Sequence, residues 1–207
     1  FAFKKDNVAK LDGVRSGQRV KVSFAVDGRE WTDPKTGKVW LFFGSVGGIH
    51  RIELNKDGLS LKEGATYEHV AGLKVEQNPN RSKVFEGAYL HKHGKYWYLF
   101  VSSGFYSDHT YKLQVGRAKK LTDTFVDREG RPMKEGYATT VLHSDKGDRF
   151  YGPGHCGEIF KGKDKKEYIF YHCHVEGSRN RNSRPFFIAQ IKWDKAGWPY
   201  VEGGKPQ

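Results

Sequence analysis

The sequence predicts an all-β fold built from repeated sheets, and three observations support this prediction. First, 25 glycines and an aromatic content of 14% in 207 residues are typical of many short strands joined by tight turns. Second, the apolar spacing of an α-helix is scarce along the chain. Third, one pattern recurs, in which a turn and a lysine precede a run of aromatic residues.

The recurring pattern indicates the architecture of the sheets. Its three copies, GKVWLFF, GKYWYLF and KKEYIFY, lie at 37–43, 94–100 and 165–171. The strand-like runs that follow them lie at 48–54, 111–117 and 185–191. The copies are roughly 60 to 70 residues apart, which is room for a four-stranded sheet with its loops and more than a solenoid unit needs. This period predicts the blades of a β-propeller.

One polar residue stands in an apolar or glycine-rich setting upstream of each aromatic run: Asp27 in FAVDG, Glu86 in FEGAY and His155 in GPGHC. The first strand of each propeller blade lines the central channel, so residues that are equivalent by repeat converge on the axis. We therefore expect Asp27, Glu86 and His155 to face one another. By contrast, Asp33 precedes Pro34 and is expected to shape a turn.

Three blades do not close a ring, because propellers typically have four to eight. The alternating Val20-Lys21-Val22 is interpreted as part of an earlier blade. No stretch has the composition of a domain linker, so residues 1–207 are expected to form a single incomplete propeller domain. Its N-terminal blades are expected to come from an upstream segment or from a second polypeptide.

Composition excludes several classes of function. The net charge is +12, but Lys and Arg are scattered, so a nucleic-acid partner is not expected. A basic scaffold for acidic polysaccharide remains an alternative and predicts a steep salt dependence. No apolar run approaches the roughly 20 residues of a membrane helix. The chain opens at Phe1 without a signal peptide. Cys156 and Cys173 are expected to be buried free thiols.

With these motifs, the chain resembles glycoside hydrolase family 43, the arabinanases and α-L-arabinofuranosidases. FAVDG with GKVWLFFGS resembles the blade-three motif of that family, and FEGAY resembles the blade-four motif. TYKLQVGRAKKLTDTFVDREG, GPGHCGEI and IKWDKAGWPYVEGG complete the resemblance, which covers nearly the whole chain. It implies a five-bladed β-propeller, of which this chain supplies roughly blades three to five and the end of blade two.

The resemblance also implies roles for individual residues. Glu86 would be the general acid, and Asp27 the second carboxylate that raises the pKa of the acid and holds it in place. His155 would help to hold a metal, usually calcium, in a shell made mostly of water, since calcium prefers oxygen ligands. Ser45, in GSVGGIH, would contact the sugar. The general base of the family, an Asp of blade one, has no counterpart in this chain.

The activity that follows from the resemblance is inverting hydrolysis of α-L-arabinofuranosyl linkages in arabinan or arabinose-containing plant polysaccharide, in the periplasm or outside the cell. A β-xylosidase-type activity of the same family is one alternative. A non-catalytic carbohydrate-binding propeller or an inactive fragment is another. The paired Asp27 and Glu86 argue against the non-catalytic alternative, whereas the missing blade one argues for it.

Overall fold

The structure is a computed structural model that describes residues 28–178 and 184–207. Within these residues thirteen strands form three antiparallel sheets. The helical segments of the same residues are three 3-10 turns, at Val75–Gln77, Met133–Glu135 and Glu202–Gly204. No helix in this part of the chain has the length and apolar character needed to cross a bilayer.

Each sheet is made of strands that follow one another along the chain. The first sheet contains Gly28–Thr32 (β1), Val39–Ser45 (β2), Gly48–Leu54 (β3) and Glu68–Ala71 (β4). The second contains Glu86–His93 (β5), Tyr96–Ser103 (β6), Lys112–Ala118 (β7) and Thr139–Leu142 (β8). The third contains Phe150–Gly154 (β9), Ile159–Lys161 (β10), Glu167–Val175 (β11), Phe186–Trp193 (β12) and Pro199–Val201 (β13). Both β9 and β10 pair with β11.

The repeats of the sequence coincide with equivalent strands of the three sheets. The aromatic runs form β2, β6 and β11, and the runs that follow them form β3, β7 and β12. In each sheet these two strands pair with each other in antiparallel register. The predicted repeat of sheets is therefore confirmed.

Strand β6 lies between two hydrophobic cores. Because successive side chains of a strand point to opposite faces, Trp97 and Leu99 enter the core shared with the first sheet. Tyr98 and Phe100 enter the core shared with the third sheet. This two-sided burial explains why the aromatic run of β6 is nearly continuous, whereas a strand with one solvated face alternates apolar and polar residues.

Two local predictions are also confirmed. Asp33 holds a turn: its Oδ1 accepts a hydrogen bond of 2.9 Å from the amide of Lys35, and its carbonyl accepts one of 2.8 Å from the amide of Gly37. Cys156 and Cys173 are buried and are not joined in a disulfide, as expected. Burial raises the pKa of Cys173 to about 12, so this thiol stays protonated at neutral pH.

Candidate active site

Glu86 begins β5 and is half-buried at the boundary between the first two sheets. Its carboxylate accepts two hydrogen bonds from hydroxyl groups. Ser45, the last residue of β2, donates through Oγ to Oε2 at 2.9 Å, and Tyr111 donates through its phenol to Oε1 at 2.7 Å. Each carboxylate oxygen therefore has a donor among the described residues, and the carboxyl group is oriented by side chains of two sheets.

His155 lies beside the residue that follows Glu86. Its backbone amide donates to Oγ of Ser102 at 2.7 Å, and Ser102 is the partner of Glu86 in the β5–β6 register. A Cβ atom placed on Gly87 would come within 3.1 Å of Nδ1 of His155. The imidazole is exposed, so it is accessible to solvent at the same end of the sheets as Glu86.

The strand that was expected to carry His155 is interrupted at this residue. β9 ends at Gly154, β10 begins at Ile159, and His155 lies between them with a φ of +55°. This left-handed conformation is uncommon for a residue with a side chain. His155 therefore lies in the connection between two strands, whereas Glu86 is part of a strand.

Sequence reasoning missed the aromatic row that lies behind these residues. The rings of Tyr111 and His172 are parallel to within 5°, with centroids 6.1 Å apart, and His172 in turn stacks on His155 at 5.9 Å. Burial, together with the nearby Arg184 and His155, lowers the pKa of His172 to about 4. His172 is therefore neutral at neutral pH. In the sequence this row is marked only by the first histidine of YHCH, at 171–174.

The structure brings together three of the four candidate residues. Ser45 contacts Glu86 directly, and His155 adjoins it through Gly87 and Ser102. Asp27 immediately precedes β1 and lies outside the described residues. A half-buried carboxyl group held in this way, near an exposed imidazole, is suited to transferring a proton to a bound substrate.

The comparison with protein families decides the identity of the chain. The model of "Glycosyl hydrolases family 43" matches residues 14–199. The chain belongs to glycosyl hydrolase family 43. A relative is the "Extracellular exo-alpha-(1->5)-L-arabinofuranosidase ArbA" of Cellvibrio japonicus, which is 32% identical over 80% of this chain and 48% of its own length. This family 43 chain spans about half the length of the curated relatives that it matches first.

Solved structures agree with the family 43 assignment. An exo-1,5-alpha-L-arabinanase from a bovine ruminal metagenomic library matches with a TM-score of 0.70 and 30% identity, over 91% of this chain and 60% of that one. The Cellvibrio cellulosa alpha-L-arabinanase complexed with arabinohexaose matches with a TM-score of 0.71 and 29% identity, over 84% of this chain and 56% of that one. The predicted all-β, five-bladed type of propeller is confirmed as the fold class.

Proposed function

We propose that the protein carrying this chain is an inverting glycosidase that hydrolyses α-L-arabinofuranosyl linkages in arabinan or arabinose-containing plant polysaccharide. The observation that carries the proposal is the carboxyl group of Glu86, oriented by Ser45 and Tyr111 at an accessible end of the sheets. The names of the relatives support the choice of sugar: one is an exo-acting arabinofuranosidase, and another binds arabinohexaose.

In this mechanism Glu86 protonates the departing glycosidic oxygen as the bond to the anomeric carbon breaks. Ser45 and Tyr111 position its carboxyl group, and Asp27 acts as a second carboxylate that orients it. Ser45 would also contact the sugar next to the acid. An inverting enzyme activates water on the opposite face of the ring with a second carboxylate. That base would come from a blade-one segment, supplied upstream in the same protein or by a second polypeptide.

A calcium ion beside His155 is part of the proposal. Among the described residues, no group of three His, Cys, Asp or Glu ligand atoms surrounds His155 closely enough to hold an ion alone. Since calcium prefers oxygen, a shell of water with His155 as one ligand is the form that fits these residues. Such an ion would supply fixed positive charge on the axis. Elemental analysis of the purified protein, before and after chelation, measures whether calcium is present.

We further propose that the protein acts outside the cytoplasm. Its substrate would be a polysaccharide too large to enter a cell, and the Cellvibrio japonicus relative is named as extracellular. Fractionation of the native host, followed by detection of the protein in periplasm and medium, tests this assignment.

The proposed activity is tested by the release of reducing sugar from debranched α-1,5-arabinan, with xylan assayed in parallel. The variant Glu86→Gln keeps the shape of the side chain but cannot donate the proton, so we expect kcat to fall about 10²- to 10⁴-fold. Glu53→Gln is the matched control, because Glu53 is also a strand residue whose carboxylate accepts side-chain hydrogen bonds, from Lys38 and Lys62. Its activity should stay within about twofold of the wild type.

Three results would contradict the proposal in different ways. Equal activity of wild type and Glu86→Gln would exclude Glu86 as the acid. Hydrolysis of xylan in preference to arabinan would assign the β-xylosidase-type alternative. Binding of arabino-oligosaccharide by the intact wild-type protein without any hydrolysis would assign a non-catalytic carbohydrate-binding propeller.

A further inference from the structure

A second polar cluster lies toward the other end of β5, about 17 Å along the strand from Glu86. His91 and His93 are two residues apart on β5, so their side chains share one face. Glu167, the first residue of β11, approaches that face from the third sheet. Nε2 of His91 lies 3.9 Å from Oε1 of Glu167, and Nδ1 of His93 lies 3.6 Å from Oε2. All three ligand atoms lie within 4.8 Å of one another.

The neighbouring Trp193 of β12 holds this cluster in place. Its indole N–H donates to Oε2 of Glu167. Its ring stacks on His93 with centroids 3.7 Å apart and planes 10° apart, and on His91 at 5.9 Å and 17°. Outer partners of this kind fix the orientation of metal-ligating side chains in proteins.

One imidazole nitrogen of the cluster has its bonding capacity unused. The side chain of His91 is only 15% exposed, and its Nε2 is buried without a hydrogen-bond partner among the described residues. The separation of 3.9 Å from Glu167 is too long for a hydrogen bond. Burial lowers the pKa of His91, although Glu167 opposes this, so the ring is neutral at neutral pH. The neutral ring is the form that binds metals.

We propose that His91, His93 and Glu167 bind one divalent transition-metal ion of the zinc class. Two imidazoles and a carboxylate suit zinc, nickel or copper, whereas calcium and magnesium prefer oxygen ligands. Ligand atoms of a tetrahedral zinc site lie about 3.3 Å apart. The separations of 3.6 and 3.9 Å to the two oxygens of Glu167, within a group that spans at most 4.8 Å, would shorten to that value as the side chains close on the ion.

The ion would join two sheets and leave one coordination position open. His91 and His93 belong to the second sheet and Glu167 to the third, so the ion would cross-link strands β5 and β11. With three protein ligands, the fourth position of a tetrahedral zinc ion is taken by water or an external ligand. Metal binding to the folded state alone then raises the stability of the contact between these two sheets.

The test is titration of the full chain, freed of metal by chelation, with ZnCl₂ in a calorimeter and in thermal unfolding. We expect one ion per chain and an unfolding midpoint about 5–10 °C higher at a zinc concentration 100 times the dissociation constant. CaCl₂ should not compete with zinc, because the site lacks the oxygen ligands that calcium requires.

Three variants and one control make the assignment specific. His91→Phe and His93→Phe keep a flat ring against Trp193 but remove the ligand nitrogen, and Glu167→Gln keeps an acceptor for the indole. Each should weaken zinc binding at least about tenfold. His109→Gln removes an exposed imidazole elsewhere and should bind zinc like the wild type.

Circular dichroism without metal verifies that each variant is folded. The proposal is overturned if the wild type binds no zinc, or if the phenylalanine variants and Glu167→Gln bind it as tightly as His109→Gln. Neither result depends on glycosidase activity, so failure here leaves the proposed function untouched.

Discussion

The two carboxylates beside strand β5 have different surroundings. Glu86, at the start of the strand, accepts hydrogen bonds from the hydroxyls of Ser45 and Tyr111. Glu167, opposite the other end, accepts one from an indole and faces the imidazoles of His91 and His93. Hydroxyl groups can donate to a carboxylate and can also accept from a carboxylic acid, so they can orient Glu86 in either protonation state. Imidazoles can take a proton or a metal themselves, so the neighbours determine the chemistry of each carboxylate.

The largest expected effect is on kcat in Glu86→Gln, and it distinguishes a role of Glu86 in proton donation from a role in substrate binding. An aryl α-L-arabinofuranoside with a highly acidic phenol as leaving group departs without protonation, so Glu86→Gln should retain most of its activity on that substrate. On arabinan the same variant should lose about 10²- to 10⁴-fold in kcat. Steady-state kinetics on both substrates measure the difference. An equal loss on the two substrates would show that Glu86 does not act as an acid.

A smaller effect distinguishes the two ends of β5 by paired glycine substitutions. Gly87 and Gly94 both have positive φ, +63° and +55°, so alanine at either costs about 1–2 kcal/mol and about 2–8 °C in the unfolding midpoint. At Gly87 the new Cβ would press on His155, whereas at Gly94 no atom of the described residues, apart from the chain neighbours, lies within 4 Å of it. We therefore expect the unfolding midpoint to fall in both variants and kcat to fall only in Gly87→Ala. A fall of kcat in both variants would show that pressure on His155 does not specifically affect the acid Glu86.

The smallest effect concerns acid stability and His172. Burial, with the nearby Arg184, His155 and His174, lowers the pKa of this residue from 6.5 to about 4. Between these values the unfolded chain takes up a proton that the folded chain refuses, so stability falls as the pH falls below about 6.5. His172→Phe keeps the stack with Tyr111 and removes this contribution of His172 to the pH dependence of stability.

The drop in melting temperature between about pH 7 and pH 5 should therefore be about 2–4 °C smaller in His172→Phe than in the wild type. Thermal scans at both pH values check this, with His109→Gln as a control whose drop should match the wild type. An unchanged drop in His172→Phe would mean that His172 titrates as it does in the unfolded chain.

The sequence predicted the sheets better than it predicted the clusters between them. Each sheet consists of neighbouring strands, so the aromatic runs of β2, β6 and β11 could be recognised from local patterns. The stacking of His172 on Tyr111 joins different sheets and depends on how the blades pack, which no periodicity encodes. His93 and Glu167 carried no motif for the same reason. Glu86 and His155 were found only because each recurs at an equivalent place in its repeat.

The consecutive order of strands also determines the order in which parts of the molecule can fold. Hairpins such as β5–β6 pair residues close in the chain and can form early, since closing a short loop costs little entropy. The bond from Ser45 to Glu86 spans 41 residues, and the approach of Ser102 to His155 spans 53. These contacts must wait until whole sheets dock. A partly opened molecule, with its sheets separated but its strands intact, would therefore retain its secondary structure after it had lost its oriented acid.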